Sequence, residues 1–390
     1  MPDALRAGAR HTASVLFAIA LIGVPILYSA GVVSIETVNQ WGRFVSFAVV
    51  ALGIDLIWGY TGLLSLCQAM FFCLGGYCMG MYLAMHGPLD GDGIPRCLFV
   101  VSSAVGGLNL PSFWKPFDSF AAAIVLGVAV PGIAAFIFGY FAFRSRVRGV
   151  YFSIITQATT LGAWLMFCRN DLMLCGTNGL TNFTHIAGYE LREPSTKLGL
   201  YVASVLILGI SYILCRMLVK SRLGRILVAI RDNESRLRFS GYQPTYYKVF
   251  VFSVAAMFAG IGGMLYVPQM GIITPSNMGV AESIMMVVWV AVGGRGTLSG
   301  AVLGALIVNY MYNLLTSKAP DSWPFVQGAL FIGVVLYFPS GLIGFWHRLI
   351  APPHEPVDSP GAIQEPATKH STSSVMTSPI VGGSAEEAKA

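Results

Sequence analysis

The feature that most constrains this chain is a succession of long apolar runs separated by short polar stretches. A helix needs roughly 20 apolar residues to cross a bilayer, and such runs recur between residues 14 and 346. Only 11% of the residues are charged, whereas an ordinary soluble domain carries about 25%. A water-facing surface cannot be built from so few charges. The sequence therefore predicts an all-α polytopic membrane protein.

We predict about ten transmembrane helices, of which the second and the eighth are short enough to be broken or tilted. The ten segments are 14–33, 44–58, 64–85, 120–143, 149–167, 198–219, 249–267, 283–292, 298–315 and 325–346. The weakly apolar stretch 97–110 is too short to span and is interpreted as an interfacial or re-entrant piece. Residues 1–350 form the predicted transmembrane permease domain. Residues 351–390 are rich in Pro, Ser, Thr and Ala and predict a disordered cytoplasmic tail.

The basic residues orient the predicted helices. When ten crossings are drawn with both termini on one side, most of the 24 Lys and Arg residues fall on that side. The positive-inside rule makes it the cytoplasmic side. The net charge of +6 is thereby explained by topology and does not indicate nucleic-acid binding.

The longest charged stretch on the cytoplasmic side, 220–247, contains a predicted amphipathic helix that ends near Gly241. Its apolar residues recur at helical spacing: Leu223, Ile226, Leu227 and Ile230. A short helix across the inner face can dock a cytosolic partner, with the apolar stripe in a groove and the charges fixing the register. From the residues alone, a solvated basic loop that only sets topology is an equal alternative.

Residues 221–242, SRLGRILVAIRDNESRLRFSGY, closely resemble the cytoplasmic coupling loop of the permease subunits of branched-chain amino acid ABC importers. Four other stretches resemble the same family in the same order: WGYTGLLSLCQAMFFCLGGY at 58–77, RGVYFSIITQA at 148–158, GTNGLT at 176–181 and VWVAVGGRGTLSGAVLGA at 288–305. The resemblance implies a transport subunit of the bacterial inner membrane, without enzyme activity or cofactor. It also implies as partners a second permease subunit, two cytoplasmic ATPase subunits, an extracytoplasmic substrate-binding protein and membrane lipid.

By this resemblance, the loop docks onto the ATPase. The residues assigned to the coupling loop are Gly224, Arg225, Ala229, Arg231, Asp232, Glu234 and Gly241.

Within the family, three details resemble the second permease subunit of the urea ABC transporter. They are RDNESRLRFSGY with the following YYKVFVFSVAAMFAGIGGMLYVPQMGIITPS, Gln157 after YFSIIT, and NLPSFWKPF at 109–117. The cargo implied is urea or a short-chain amide. A branched-chain amino acid permease is the alternative, and a secondary transporter or channel for urea is the alternative outside the ABC class. Cys67-Gln68 and Cys175 depart from the family pattern, which has Gly-His and Gly there.

Five polar residues are candidates for the solute pathway: Asp55, Thr156, Gln157, Asn178 and Asn309. An ionisable residue inside a span, such as Asp55, is a functional candidate, although snorkelling to the interface or pairing with a neighbouring helix is an alternative. Thr156 and Gln157 belong to a polar stripe that suits a small neutral solute, but such groups also join helices. Asn309 carries the same ambiguity. Asn178 lies either where a binding protein docks or in a simple turn.

Four residues that interrupt an apolar stretch are candidates for a hinge or gate: Gly293, Gly294, Arg295 and Gly296. Glycines allow the backbone to turn, and an arginine at a membrane edge needs water or a partner. The alternative is a tight turn between two helices that carries an ordinary cytoplasmic arginine.

The sequence lacks the motifs of other classes. There is no GxxxxGK[ST] loop, so ATP is not bound by that device, and no cluster of His, Asp or Glu indicates a catalytic or metal site. We identify no pair of opposite charges at mid-membrane depth, which favours a neutral solute over a zwitterion.

Overall fold

The computed structural model describes residues 23–318, apart from 89–94, 97, 99–109, 146 and 148, together with a few positions between 325 and 341. The predicted tail 351–390, most of the stretch 97–110 and most of the segments 14–33 and 325–346 therefore lie outside the described residues. The count of ten crossings and the side of both termini stay predictions.

The described chain is largely helical. Its α-helices are α1 Val24–Ser29, α2 Ile35–Ile54, α3 Gln68–Met85, α4 Phe120–Arg144, α5 Val150–Phe167, α6 Pro194–Lys220, α7 Arg222–Phe239, α8 Pro244–Met270, α9 Val280–Gly293 and α10 Leu298–Lys318. Helix α2 continues directly into a π-helix, Asp55–Gly59. Seven helices are long and apolar enough to cross a membrane, namely α2 with its π-helical end, α3, α4, α5, α6, α8 and α10, while α9 is apolar but shorter.

Helix α2 starts earlier than the predicted segment 44–58, which was wrong about this boundary. The Ser34 hydroxyl caps the helix by accepting a hydrogen bond from the Thr37 amide at 3.4 Å, and Glu36 lies in the first turn near the positive helix end. Arg43, which lies just before the predicted segment, is therefore inside α2. Polar residues near the start of a helix made this end resemble a loop.

Helix α3 starts later than predicted. The segment predicted from residue 64 begins only at Gln68, and residues 62–67 are not helical. Helix α9 has 14 residues and spans about 21 Å, less than the ~30 Å apolar core of a bilayer. The residues immediately before α3 and immediately before α9 have non-helical backbone.

Helices α2, α3 and α8 form the centre of the bundle and are mostly buried, whereas α4, α5, α6 and α10 are less than half buried. The central helices approach closely because glycines face each other: a Cβ on Gly75 of α3 would lie 2.3 Å from the Gly260 carbonyl oxygen of α8. The outer helices expose large apolar side chains such as Ile133 and Ile210, as a lipid-facing surface requires.

Short strands join the loops at one end of the bundle. The strands are β1 Leu180–Thr181, β2 His185–Ile186, β3 Tyr189–Glu190 and β4 Ile272–Ile273. Strands β1 and β4 pair antiparallel, with Leu180 opposite Ile273, and β2 pairs antiparallel with β3. Leu180 and Ile273 are both completely buried. The loop that leads into α9 is thus packed inside the protein, which satisfies its non-helical backbone.

The two ends of the bundle are identified by contacts between distant segments. At one end, the Lys197 ammonium lies 2.6 Å from the Glu36 carboxylate and joins the starts of α6 and α2. At the other end, Arg231 of α7 contacts Gly59 at the end of the π-helix. The predicted coupling loop and the strands therefore lie at opposite ends of the bundle. The end that carries the coupling loop is the predicted cytoplasmic end.

Candidate coupling and gating site

Asp55 holds the turn between α9 and α10 against the end of α2. Its side chain is completely buried, and its Oδ1 accepts a hydrogen bond from the Gly296 amide at 2.6 Å. Beside it, the Arg295 guanidinium lies over the Trp58 ring at 5.2 Å, a cation–π contact. Asp55 thus pairs with a neighbouring helix turn rather than reaching to water.

Arg231 connects α7 to the same place. Its Nη1 donates a hydrogen bond to the Gly59 carbonyl at 2.8 Å, one of the carbonyls that a helix end leaves without an intrahelical partner. A Cβ on Gly59 would lie 2.3 Å from Asp55 Oδ1 and 2.6 Å from the Gly296 amide nitrogen. Three segments that the sequence marked separately, namely the coupling loop, Asp55 and the glycine turn, therefore meet around Gly59.

The glycine turn is tight because its flanking helices touch. A Cβ on Gly293 would lie 1.9 Å from the Gly300 carbonyl oxygen, and one on Gly304 would lie 2.0 Å from the Trp289 carbonyl oxygen. Gly294 has φ 123° and Gly296 has φ 80°, conformations that favour glycine. The segment 293–296 is thus a close helix–helix turn, and its contact with Asp55 links it to α2.

A second anchor lies beyond a kink in α7. The helix is interrupted at Asn233, whose Oδ1 accepts a hydrogen bond from the Arg236 amide at 3.0 Å and so caps the following turns. Glu234 then accepts from Arg238 Nη2 at 2.7 Å and from Lys248 Nζ at 2.8 Å. Lys248 is buried in α8, so α7 is bound to α2 on one side of the kink and to α8 on the other.

The apolar stripe of α7 faces the chain itself. Leu227 and Ile230 are buried, so our expectation that the stripe would enter a partner's groove was wrong. Gly224 is buried where α6 turns into α7, and a Cβ on it would lie 2.0 Å from the Val219 carbonyl oxygen. The predicted coupling residues that face outward are Arg225, Arg231, Asp232 and Gly241, whereas Ala229 and Glu234 are half-buried.

The hydroxyl of the pathway candidate Thr156 and two other hydroxyls of α5 form hydrogen bonds to backbone groups. The Thr156 hydroxyl accepts from the Leu66 amide at 3.1 Å, the Thr160 hydroxyl donates to the Leu66 carbonyl at 3.0 Å, and the Ser153 hydroxyl donates to the Leu64 carbonyl at 2.8 Å. These bonds give hydrogen-bond partners to backbone groups of Leu64 and Leu66 in the non-helical segment 62–67. The polar stripe of α5 therefore joins segments of the protein and is not open to a solute at these positions.

The other pathway candidates are scattered. Gln157 is half-buried beside the hydroxyl stripe, and Asn178 is exposed in a 3₁₀ turn at the end with the strands. Asn309 is buried, but its amide nitrogen donates to the Ala305 carbonyl of its own helix at 2.7 Å. These three residues do not meet Asp55 in one site.

One ionisable residue was missed. Glu282 is exposed in the first turn of α9, and the predicted segment 283–292 began one residue after it. A carboxylate placed at the start of a short apolar helix was the signal available. The adjacent Ser283 hydroxyl accepts a hydrogen bond from the Ala69 amide at 3.3 Å, which joins α9 to the start of α3.

Among the described residues, no group of three or more His, Cys, Asp or Glu side chains could hold a metal ion.

Residues 37–335 match the family described as branched-chain amino acid transport system / permease component. The high-affinity branched-chain amino acid transport system permease protein LivM of Salmonella typhimurium is 24% identical over 352 residues, covering 84% of this chain and 74% of LivM. The permease protein BraD of Pseudomonas aeruginosa, named for the same type of transport system, is 21% identical over 309 residues, covering 77% of this chain and 92% of BraD. The ribose import permease protein RbsC of Escherichia coli is 24% identical over 210 residues, covering 52% of this chain and 62% of RbsC. No solved structure matches the chain.

Proposed function

The chain belongs to the family of branched-chain amino acid transport system permease components, and from this premise we propose that it is a permease subunit of an ATP-driven importer for an amino acid with a branched apolar side chain. It is a multi-pass protein of the bacterial inner membrane. The proposal is supported most directly by Arg231, which joins the outward-facing helix α7 to the membrane-embedded end of α2. A subunit driven by a cytosolic motor needs such a connection.

The contacts of α7 suggest how movement is passed on. Arg231 binds Gly59 and Glu234 binds Lys248, so a displacement of α7 acts on the ends of α2 and α8 together. Through the bond from Gly296 to Asp55, the turn between α9 and α10 follows α2. In the proposed mechanism, an ATPase moves α7 and these bonds shift α2, α8 and α9 as a unit.

The partners follow from this mechanism. We propose that one of two ATPase subunits binds the outward-facing polar side of α7, that a second permease subunit completes the pathway, and that a substrate-binding protein docks at the end carrying the strands. Asn178 is exposed at that end. The chain itself acts as a transport subunit and hydrolyses no ATP.

The cargo is proposed from the named relatives LivM and BraD, which belong to branched-chain amino acid transport systems. The sequence resemblance suggested urea, and the polar stripe of α5 suited a small neutral solute. That second argument is weakened, because the hydroxyls of Thr156 and Thr160 are hydrogen-bonded to backbone. Uptake of leucine, urea and acetamide by the assembled importer tests the choice. We expect uptake of leucine, and uptake of urea or acetamide without leucine would reject the proposed cargo.

Docking of the ATPase on α7 is tested with charge reversals on its outward-facing side. We expect Arg225→Glu combined with Asp232→Arg to lower ATPase co-purification and leucine uptake by roughly tenfold, a difference of about 1.4 kcal/mol in binding. Arg192→Glu, an exposed reversal at the opposite end, is the matched control and should leave ATPase co-purification unchanged. Normal co-purification and uptake in the double variant would reject α7 as the docking site.

A further inference from the structure

Arg43 and Glu282 are opposite charges that both lie within the helical bundle. Arg43 lies 8 residues beyond the first residue of α2, Ile35, or about 12 Å into that helix. Glu282 lies 11 residues before the last residue of α9, Gly293, or about 16 Å from the glycine turn. Arg43 thus lies within a helix long enough to cross a ~30 Å apolar core, and Glu282 lies within the shorter apolar helix α9.

Arg43 lacks a carboxylate partner among the described residues. Its Nη1 donates to the Met270 sulfur at 3.0 Å, and its buried Nε has no hydrogen-bond partner there. An arginine in a membrane protein is normally paired or hydrated. A guanidinium with a free edge can bind a carboxylate in the bidentate geometry that arginine favours.

Glu282 is likewise without an ion pair to any described residue. It is exposed on this chain, so at its depth it faces water, solute or a partner subunit rather than lipid. The hydroxyl of the adjacent Ser283 accepts a hydrogen bond from the Ala69 amide at the start of α3. Glu282 therefore lies beside the central helices and not at the lipid-facing rim.

Aromatic contacts connect the helices that carry the two charges. The Tyr266 ring of α8 packs on Phe47 at 5.1 Å. Phe47 lies one turn beyond Arg43 on α2 and packs on Trp289 of α9 at 4.9 Å. The helices that carry the two charges thus meet at one aromatic group, and no direct salt bridge between the charges is present in the described chain.

A further polar group lies nearby without a partner. Gln68 is 1% exposed, and neither atom of its amide has a hydrogen-bond partner among the described residues. Its neighbour Ala69 donates to Ser283, which follows Glu282. A buried amide is expected to be hydrogen-bonded, so Gln68 calls for a polar partner that lies outside the described residues.

From these contacts we infer that Arg43 and Glu282 form a binding site for a zwitterion, in which Arg43 binds the α-carboxylate of the cargo and Glu282 binds its α-ammonium. The inference rests on the proposed amino acid cargo. It differs from our sequence-based expectation, in which no pair of opposite charges at mid-membrane depth was identified. A neutral solute would need neither charge, whereas a free amino acid carries both charged groups on one carbon atom.

The test uses the complete importer in proteoliposomes and measures leucine uptake together with the ATP hydrolysis stimulated by the binding protein. We expect Glu282→Gln and Arg43→Gln each to lower leucine uptake at least tenfold while stimulated ATP hydrolysis is retained. Glu282→Asp and Arg43→Lys keep the charges and should restore part of the uptake. Gly162→Ala, where an added Cβ would meet nothing within 4 Å, is the control and should transport normally.

Two outcomes would overturn the inference. Wild-type leucine uptake in both neutral variants would show that the charges do not bind cargo. Loss of uptake and of stimulated hydrolysis together, with no recovery in the charge-retaining variants, would show that the pair stabilises the assembly instead. Failure of the proposed function is distinguishable from both, because in that case the unmodified importer would carry urea or acetamide and no leucine.

Discussion

At the scale of single residues, the contacts around Gly59 explain why a helix end with no catalytic group can matter for transport. The Gly59 carbonyl receives Arg231, while the space where its side chain would be is filled by Asp55 and the Gly296 backbone. Asp55, although buried and ionisable, is used to bind a turn, and its Oδ2 has no hydrogen-bond partner among the described residues. Small changes here alter how three helices are joined.

Replacing Gly59 with alanine should separate these segments. A Cβ would overlap Asp55 Oδ1 and the Gly296 amide nitrogen, and overpacking of this kind costs about 1–3 kcal/mol. We expect Gly59→Ala to lower the thermal stability of the purified protein and to reduce uptake. Gly162→Ala is the matched control, because a Cβ there meets nothing within 4 Å. Equal stability and uptake in the two variants would contradict the close packing described for Gly59.

Replacing Arg231 should uncouple ATP hydrolysis from transport. Arg231→Gln removes a charged donor to the Gly59 carbonyl, a kind of bond worth about 1.5–3 kcal/mol, while the outward-facing polar side of α7 keeps its other charges. The expected result is normal ATPase co-purification with roughly tenfold less leucine moved per ATP hydrolysed. Arg222→Gln, an exposed change at the start of α7, should keep the wild-type ratio. An unchanged ratio in Arg231→Gln would remove this bond from the proposed mechanism.

At the scale of helices, the sequence located the apolar segments of the described chain well because length and hydropathy are local properties. The ends were harder to predict, since the start of α2 depends on the Ser34 cap and on a pair with Lys197 far along the chain. The predicted amphipathic helix is present as α7, but which side it buries depends on tertiary packing. The bond from Arg231 to Gly59 joins residues 172 positions apart, and no local pattern could have indicated it.

The hydroxyls of α5 join two elements of the bundle, because they bind the non-helical segment before α3. We expect Thr160→Val to lower the free energy of unfolding by about 1 kcal/mol, since the Leu66 carbonyl loses a donor. The KM for leucine should stay unchanged. Thr159→Val is the control, because the Thr159 hydroxyl bonds only to Ile155 of its own helix. A raised KM with unchanged stability would instead place Thr160 in the solute pathway.

At the scale of the whole molecule, the described surface divides by chemistry. Helices α4, α5 and α6 expose apolar side chains that suit lipid, whereas α7 exposes charges at one end and α9 exposes Glu282 within the bundle. A carboxylate at that depth is costly unless it faces water, cargo or a neighbouring subunit. The surface of the single chain thus indicates a part of a larger assembly.

The chain alone should therefore carry no solute. Liposomes containing only this subunit should take up leucine no faster than empty liposomes, because α7 has no motor to move it and the side carrying Glu282 has no second permease to close it. Adding the second permease, the ATPase subunits, the binding protein and ATP should start uptake, and a non-hydrolysable ATP analogue in place of ATP is the control that should stop it. Uptake of leucine or urea by the isolated subunit would instead identify a channel or secondary transporter, and the bonds from α7 to α2 and α8 would then have only a structural role.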